Sequence, residues 1–203
     1  MGDKNKSDNS FFAMISRMKY IERWALMRNS LRENVCEHSL ETAVIAHALA
    51  VIGNCMLDKD YDAEHIAMLA LYHDCTEIIT GDMPTPIKYF DPKLRELYGE
   101  VETLAQEKML STLPDRLQSV YKPILVDAET SPEWTLVKAA DTISAYMKCV
   151  KELKAGNDEF KEAHDSILAK LKNLNMPEVD MFLEIYIPAL GKSLDELNYY
   201  EIK

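Results

Sequence analysis

Apolar residues recur along most of this chain at spacings of three and four, which is the period of an α-helix. Residues 37–55 are apolar on nearly every face, and a helix of that kind usually lies buried at the centre of a fold. We find no stretch with the period-two alternation of a half-buried strand. The pattern therefore predicts an all-α protein built as a single-domain helical bundle.

The helix boundaries follow from capping residues, glycines and prolines. Ser10 can cap a first helix, and Asp62 can cap a helix that Gly81 ends. Two prolines between residues 81 and 86 fix the backbone of that loop and exclude regular structure there. Further helices are predicted over residues 37–55, 63–80, 91–111, 114–121, 132–155, 158–173 and 177–190, with a short one after Ser193.

The chain has 203 residues, of which 47% are apolar and 28% charged, and this fits one globular domain with a full core. Residues 1–10 are polar, so we predict a disordered lead-in followed by a domain over residues 11–203. The net charge is −11. Binding to nucleic acid or to an anionic membrane needs an excess of lysine and arginine, so neither partner is expected.

The four cysteines, Cys36, Cys55, Cys75 and Cys149, are too widely spaced for a CxxC motif. The polar first residues do not have the pattern of a signal peptide, and no apolar run approaches the roughly 20 residues that span a bilayer. We therefore expect four reduced thiols in a cytoplasmic protein. A disulfide pair in a secreted protein is the alternative.

The strongest local signal for chemistry is the dipeptide His73-Asp74 near the end of an apolar helix. An imidazole and a carboxylate are costly to bury side by side unless both have partners. Glu77 is expected on the same helix face as His73, and Asp82 follows on the proline-bounded loop. Together they predict a cation site or a proton-transfer site. The plain structural interpretation is that His73 bonds a backbone carbonyl and Asp74 caps a downstream segment.

Two residues elsewhere in the chain fit such a site. His38 opens the buried helix, and Asp141 lies in the middle of an apolar helical face, where a buried carboxylate needs a cation or a network of donors. His47 is nine residues from His38, so we expect it on the opposite side of the helix, as a core histidine with a hydrogen bond. His65 and His164 are expected at the surface.

Arg23, Arg28 and Arg32 fall within ten residues of an otherwise acidic chain, and Trp24 lies beside the first of them. Arginine binds phosphate through two parallel hydrogen bonds, and a tryptophan ring can stack on a sugar or a base. The cluster therefore predicts a contact with a phosphate and a nucleoside. The alternative is that an arginine side chain packs beside a core tryptophan and extends its charged end into solvent.

Six motifs follow one another along the chain: Arg23-Trp24-x-Leu26-Met27-Arg28, Glu33-Asn34-Val35-x-Glu37-His38-Ser39-Leu40, Tyr72-His73-Asp74-x-x-Glu77, Thr80-Gly81-Asp82-x-Pro84-Thr85-Pro86-x-Lys88-Tyr89-Phe90, Val137-Lys138-x-Ala140-Asp141 and Glu152-Leu153-x-Ala155-Gly156-Asn157. In this order they resemble the bacterial HD-domain 5'-deoxynucleotidases, within the HD-domain metal-dependent phosphohydrolases. The resemblance covers about residues 11–197. Each motif is weak alone, and their order makes the combination specific. The chain departs from the family pattern at Ala25 and Cys36, which flank the motifs.

The resemblance implies a fold, a metal and a substrate. The metal ligands would be His38, His73, Asp74 and Asp141. By the resemblance, the metal would be one divalent transition-metal ion, with cobalt, manganese or copper supporting activity. Nitrogen and oxygen ligands without thiolate suit manganese, cobalt, nickel, copper or iron, and suit structural zinc less well, although zinc stays an option. The substrate would be a 2'-deoxyribonucleoside 5'-monophosphate, and the family forms homodimers.

The resemblance also implies roles around the substrate. Arg23 would orient the phosphate and Trp24 would pack against the nucleotide, while His38 and Asp74 would contact substrate as well as metal. The segment from Asp82 through Met83, Pro84 and Thr85 would line the deoxyribose side of the pocket.

We expect Glu77, Asp82 and Arg23 to be catalytic, in an in-line attack on the phosphorus by water that the metal activates. Glu77 would be the general base or orient the water. Asp82 would protonate the departing 5' oxygen or bind the sugar 3'-hydroxyl.

Two other functions stay open. One is an HD-type phosphohydrolase that acts on a phosphodiester or a pyrophosphate. A single metal and a small proline-bounded pocket argue against it. The other is a non-catalytic helical module with a structural metal. The presence of Glu77, Asp82 and Arg23 argues against that module, because a purely structural site needs none of them.

Overall fold

The computed structural model describes residues 9–88 and 90–197, and the predicted all-α class is confirmed for them. Among these residues, extended pairing is limited to one isolated antiparallel bridge between Glu22 and Asn34. The α-helices are α1 (Phe11–Ile15), α2 (Val35–Met56), α3 (Ala63–Tyr72), α4 (Glu77–Thr80), α5 (Thr85–Lys88), α6 (Pro92–Ser111), α7 (Asp115–Leu125), α8 (Trp134–Lys154), α9 (Lys161–Asn173) and α10 (Pro177–Tyr186). Short 3₁₀ turns cover Met18–Tyr20, Ala128–Thr130, Asp158–Phe160, Ile187–Ala189 and Asp195–Leu197. Residues 1–8 of the predicted lead-in, Tyr89 of the fourth motif and residues 198–203 lie outside the described part of the chain.

Helix α2 is the central element and packs against α3, α8 and α10. Its apolar side chains form the larger of two hydrophobic clusters together with those of the three helices that cover it. The helix begins at Val35 because Asn34 caps it: the Asn34 side chain accepts a hydrogen bond from the Glu37 N–H at 3.0 Å, and the Glu37 carboxylate accepts one from the Asn34 N–H. The predicted central helix is therefore confirmed, with its start two residues earlier than expected.

By length and composition alone, α2 could cross a membrane, so the expectation that no apolar run is long enough is wrong. The other helices in the described part of the chain do not pass that test. Within the fold, three neighbouring helices cover α2. The core that it forms with them accounts for its buried apolar side chains, while Leu40, Val44 and Val51 stay exposed.

A smaller hydrophobic cluster lies beside the first, and it joins Phe11, Met18, Val35, Cys75, Met109, Leu113 and Leu125. The chain passes from one cluster to the other directly after α3, since Ala70 belongs to the larger cluster and Cys75 to the smaller. The polar pair His73-Asp74 therefore lies at the boundary between two apolar regions.

The predicted helix over residues 63–80 is wrong in its middle, because α3 ends at Tyr72 and α4 begins at Glu77. The ring of His73 donates a hydrogen bond from Nδ1 to the carbonyl of Ala70 at 2.7 Å. In a continuing α-helix, the backbone N–H of Asp74 would donate to that carbonyl. His73 and Glu77 therefore do not share one helix face as expected.

Two smaller expectations about helix boundaries are also wrong. Residues Thr85–Lys88 form a helical turn inside the proline-bounded loop, because Pro86 falls in the first turn, where its missing N–H leaves no bond unmade. Helix α8 begins at Trp134 rather than at residue 132, since Ser131 accepts the Trp134 N–H in a separate turn. The remaining predicted helices from residue 91 onward match α6, α7, α9 and α10 to within four residues.

The three histidines outside the site differ from their predicted environments. His47 is exposed rather than buried in the core, because the α2 face opposite His38 is not covered by the described helices. His65 and His164 are half-buried rather than exposed, and the His164 ring packs on Tyr146 with ring centres 4.9 Å apart.

Candidate metal centre and active site

Three elements bring the four predicted ligands together. His38 comes from the first turn of α2, His73 and Asp74 from the break after α3, and Asp141 from α8. The break exposes both members of the dipeptide to the same space, which a continuous helix would not do, because adjacent residues there point about 100° apart.

The ligand atoms lie within a few ångströms of one another. Atoms of His38, His73 and Asp74 that can bind a metal all lie within 4.8 Å of each other. Asp74 Oδ2 is 3.0 Å from His73 Nε2 and 3.4 Å from His38 Nε2. Asp141 Oδ1 is 3.2 Å from the same His38 nitrogen. Three of the four residues that the sequence nominated therefore surround one point, and the fourth, Asp141, contacts His38 beside it.

The hydrogen bonds of His73 leave one ring nitrogen directed at this point. Nδ1 donates to the Ala70 carbonyl, so Nε2 carries the lone pair. Nε2 is buried and makes no hydrogen bond. Its 3.0 Å approach to Asp74 Oδ2 is a close contact without hydrogen-bond geometry. An orphaned, fixed imidazole nitrogen beside two carboxylates fits a metal ligand.

His38 is oriented by a chain of polar side chains on its other side. Its Nδ1 lies 3.1 Å from the buried Ser144 Oγ, which donates to Glu41 Oε2 at 2.8 Å. Lys151 Nζ donates to the other oxygen of Glu41 at 2.7 Å. Because Nδ1 faces Ser144, Nε2 is the ring nitrogen that faces Asp74 and Asp141, and it carries a proton there unless a cation replaces it.

The pKa values in the cluster show how strongly these groups interact. Burial disfavours a charged His38, but hydrogen bonds with Asp141 and Asp74 outweigh it and raise the pKa of His38 to about 9. Burial would raise the pKa of Asp74 and of Asp141, yet the two imidazoles hold the pKa of each carboxyl well below its usual range. Both carboxylates are therefore ionised at neutral pH. Asp141 is only half-buried, with a side chain that is 28% exposed, so the expected full burial is wrong.

The pKa values of Glu77 and Asp82 are shifted in the opposite direction, above those of ordinary carboxyl groups. Burial and the negative charges of Asp74 and Asp82 raise the pKa of Glu77 to about 10. Burial, together with Asp74, also raises the pKa of Asp82, against the opposing effect of Arg23. Glu77 Oε2 is buried and without a hydrogen-bond partner. Both carboxyl groups are therefore more stable when they are protonated or when a further cation lies beside them.

Arg23 supplies the positive charge on the near side of the cluster. Its Nε donates to Glu33 Oε1 at 2.8 Å, and its Nη1 lies 3.6 Å from Asp74 Oδ2. The guanidinium is mostly buried, with a side chain that is 12% exposed. Arg28 and Arg32, in contrast, are 81% and 88% exposed, so only the first arginine of the predicted cluster enters the site.

The remaining predicted substrate contacts are Trp24 and the segment Met83, Pro84 and Thr85. Trp24 is half-buried, its ring centre lies 5.4 Å from that of Phe160, and its indole N–H has no hydrogen-bond partner. Met83 and Pro84 are half-buried directly after Asp82, and Thr85 is exposed at the start of α5. The roles of these residues toward a sugar stay predictions.

The donor set fits a divalent transition metal. The imidazoles of His38 and His73 lie close to the carboxylates of Asp74 and Asp141. One of the two imidazole nitrogens, His73 Nε2, has no hydrogen-bond partner, and neither has Glu77 Oε2. Cys75 is the nearest thiol in sequence. Burial, reinforced by Asp74, raises its pKa to about 12, so Cys75 stays a neutral thiol in the apolar cluster and not a ligand.

The sequence reasoning missed three residues that orient the site: Glu33, Glu41 and Ser144. A signal was available for the last two, because Glu41 follows His38 by three residues and Ser144 follows Asp141 by three. Residues three apart share a helix face. Glu33 offered no such signal, since it contacts Arg23 across an irregular loop.

Comparison with known proteins finds relatives over nearly the whole chain. The family model described as 5'-deoxynucleotidase YfbR-like matches residues 10–190. A 5'-deoxynucleotidase of Photorhabdus laumondii is 47% identical over 189 residues, which cover 93% of this chain and 96% of that protein.

Two solved structures share the fold. An HD-domain phosphohydrolase of Listeria innocua superposes with a TM-score of 0.78 at 24% identity, covering 93% of this chain and 92% of that one. The HD phosphohydrolase of cyanophage S-2L, solved with dA and one catalytic Zn²⁺, gives 0.63 at 20% identity and covers 89% and 96%. The model that spans most of the sequence and the identity to a curated relative show that the chain belongs to the YfbR-like 5'-deoxynucleotidase family.

Proposed function

We propose that this protein hydrolyses 2'-deoxyribonucleoside 5'-monophosphates to a deoxynucleoside and phosphate. The observation that carries the proposal is the convergence of two imidazoles and two ionised carboxylates beside the buried guanidinium of Arg23. A cation and an arginine together can hold a phosphate dianion in water-poor surroundings. The name of the curated relative supports the same activity.

His38, His73, Asp74 and Asp141 would hold one divalent ion, with cobalt, manganese or copper as the proposed metals. When bound, such an ion offsets phosphate charge and makes a nearby water a better nucleophile at neutral pH. Zinc is the metal in the cyanophage neighbour, and it stays an option here.

The residues of the chain divide the rest of the reaction between them. Arg23 binds the phosphate oxygens and is itself held in place by Glu33. With the divalent ion bound, its positive charge would lower the pKa of Glu77 and keep it ionised, so that Glu77 could accept a proton from the attacking water. As water attacks phosphorus, the bond to the 5' oxygen breaks. Asp82, whose raised pKa favours its protonated form, gives that oxygen a proton or binds the 3'-hydroxyl.

The preference for deoxyribose is assigned to Trp24 and to the segment Asp82, Met83, Pro84 and Thr85. Trp24 lies next to the phosphate-binding arginine in sequence and has an unpaired indole N–H. A bulky ring on that side would crowd a 2'-hydroxyl. His38 and Asp74 would contact the phosphate as well as the metal.

We also propose a cytoplasmic homodimer. Exposed thiols at Cys36 and Cys55 suit a reducing compartment. Two exposed apolar rows offer surface for association, one on α2 (Leu40, Val44, Val51) and one on α6 (Leu97, Val101, Leu104).

The dimer is tested by mass. Sedimentation equilibrium should give twice the chain mass of 23.2 kDa at micromolar protein concentration. The mass of a single chain under those conditions would contradict it.

A panel of substrates tests the activity itself. Metal-stripped protein should release no phosphate from dAMP, and cobalt or manganese should restore turnover to the order of 1–100 per second, within the range of typical enzymes.

Hydrolysis of AMP should be at least about tenfold slower, a difference of about 1.4 kcal/mol in the barrier. Equal rates for dAMP and AMP would refute the sugar preference. Cleavage of a dinucleotide, or pyrophosphate release from dATP, in place of dAMP hydrolysis would favour the alternative phosphohydrolase.

Glu77→Gln should separate catalysis from metal binding. The amide keeps the size of the side chain but cannot accept the proton, so kcat for dAMP should fall by about 10²–10⁴. Metal affinity, measured by calorimetry, should stay within a few-fold. The matched control is Glu64→Gln, an exposed glutamate on α3, which should leave both values unchanged. Full turnover by Glu77→Gln protein would remove Glu77 from the mechanism.

Ser144→Ala should weaken metal binding without removing a ligand. The substitution breaks the link between Glu41 and His38 Nδ1, and loss of such a supporting bond typically costs about 10–100-fold in affinity. Calorimetric titration with Mn²⁺ measures it directly. Thr142→Val on the same helix is the control, because the Thr142 hydroxyl bonds only the Lys138 carbonyl of its own turn. Equal affinities for the two variants would show that Ser144 does not orient His38.

A further inference from the structure

The loop over residues 22–34, here called the arginine loop, carries Arg23 and Trp24 but has no regular structure of its own. Its two ends are joined by backbone hydrogen bonds, from the Arg23 N–H to the Glu33 carbonyl at 2.9 Å and through the Glu22–Asn34 bridge. Trp24 has φ +58°, in the left-handed region that a non-glycine residue adopts at a cost. A loop of this kind keeps its shape only through contacts with the rest of the fold.

The tip of the arginine loop is held by one buried carboxylate. Glu152, near the end of α8, is fully buried and accepts hydrogen bonds from the backbone N–H groups of Ser30 at 2.9 Å and Leu31 at 3.0 Å. Lys148 Nζ donates to the same carboxylate at 2.5 Å and also to the Leu31 carbonyl. The charge of Glu152 is therefore balanced and its oxygens are fully used, which a buried carboxylate requires.

Asn157 adds a second link from the same end of α8. Its amide N–H₂ donates to Glu152 Oε2 at 2.8 Å and to the Arg28 carbonyl at 2.7 Å. Close by, Phe160 packs against the Trp24 ring and under the Lys148 ammonium. Three consecutive parts of the loop are thus tied to the end of one helix.

The same face of α8 reaches the metal centre. Asp141, Ser144, Lys148 and Glu152 are spaced by three, four and four residues, which keeps them on one side of the helix. At 1.5 Å per residue, Asp141 and Glu152 are roughly 16 Å apart along the axis. One rigid helix therefore carries a candidate metal ligand at one point and the anchor of the arginine loop at another.

We infer that Glu152 is a positioning residue, which fixes Arg23 and Trp24 relative to the metal centre by anchoring the arginine loop to α8. The role of Arg23 and Trp24 toward the nucleotide rests on the proposed function, whereas the anchoring itself does not. Without the anchor, the loop would keep its sequence and its two contact residues but lose their fixed distance from Asp141.

The anchoring is tested with Glu152→Gln, which keeps the side-chain volume and removes the charge. The matched control is Glu178→Gln, because Glu178 is equally buried on α10 and bonds Tyr61 far from the loop. Limited trypsin digestion reports on the loop through its exposed Arg28 and Arg32. Cleavage at these two sites should become at least about tenfold faster in Glu152→Gln than in Glu178→Gln. Equal cleavage rates in the two variants would overturn the inference.

A fluorescence measurement reads the position of Trp24 without any substrate. The chain has two tryptophans, so Trp134→Phe protein leaves Trp24 as the single reporter. In that background, Glu152→Gln should increase quenching of Trp24 by acrylamide, and Glu178→Gln should not. Unchanged quenching by Glu152→Gln would also overturn the anchoring.

Loss of the anchor should weaken substrate binding and leave metal binding unchanged. Glu152→Gln should raise KM for dAMP about tenfold and lower the ratio of dAMP to AMP hydrolysis, with Mn²⁺ affinity within twofold of the parent protein. An equal loss of Mn²⁺ affinity would mean that Glu152 supports the whole fold, against the inference. Asn157→Ala, which removes only the link to Arg28 and one bond to Glu152, provides the same readouts should Glu152→Gln fail to fold. If the parent protein hydrolyses no deoxynucleotide, the proposed function fails, while digestion and fluorescence still decide the anchoring.

Discussion

The ring of His38 lies buried between two carboxylates on one side and a serine hydroxyl on the other. Its Nε2 meets Asp74 and Asp141, which come from different parts of the chain, so the ring joins α2, the break after α3 and α8. In the low dielectric of the boundary between two apolar clusters, these contacts are strong only while every partner is present. The arrangement of the site therefore depends on the packing of three helices around one imidazole.

Charge balance explains the rest of the site. Five carboxyl groups surround two buried cationic groups in the described structure, the guanidinium of Arg23 and the His38 ring; they belong to Glu33, Asp74, Glu77, Asp82 and Asp141. Burial and the negative charges of Asp74 and Asp82 raise the pKa of Glu77 strongly, and the positive charge of Arg23 offsets them only in part. A divalent ion would supply further positive charge. The excess of carboxylates therefore supports the proposed metal, and with that charge in place Glu77 would ionise and could serve as the proposed proton acceptor.

Much of this was predictable from the sequence, and the remainder was not for physical reasons. Helical periodicity was sufficient for α2, α6 and α8, and the cost of burying an acid was sufficient to nominate Asp141. The break after Tyr72 was not predictable, because it depends on a ring-to-carbonyl bond that only the fold makes favourable. Exposure of His47 depends on which α2 face stays uncovered, and the anchoring by Glu152 depends on a loop more than a hundred residues away in sequence.

The bond from the His73 ring to Ala70 has a consequence for how the centre is dissected by mutation. The imidazole is both a candidate ligand and the group that ends α3. Replacing it with alanine, a strong helix former, frees the Ala70 carbonyl for the N–H of Asp74 and favours one more turn of helix. The carboxylate of Asp74 would then rotate away from His38. A loss of activity in such a variant would reflect both the altered backbone after α3 and the missing ring nitrogen. Only a replacement side chain that still donates a hydrogen bond to the Ala70 carbonyl separates these two effects.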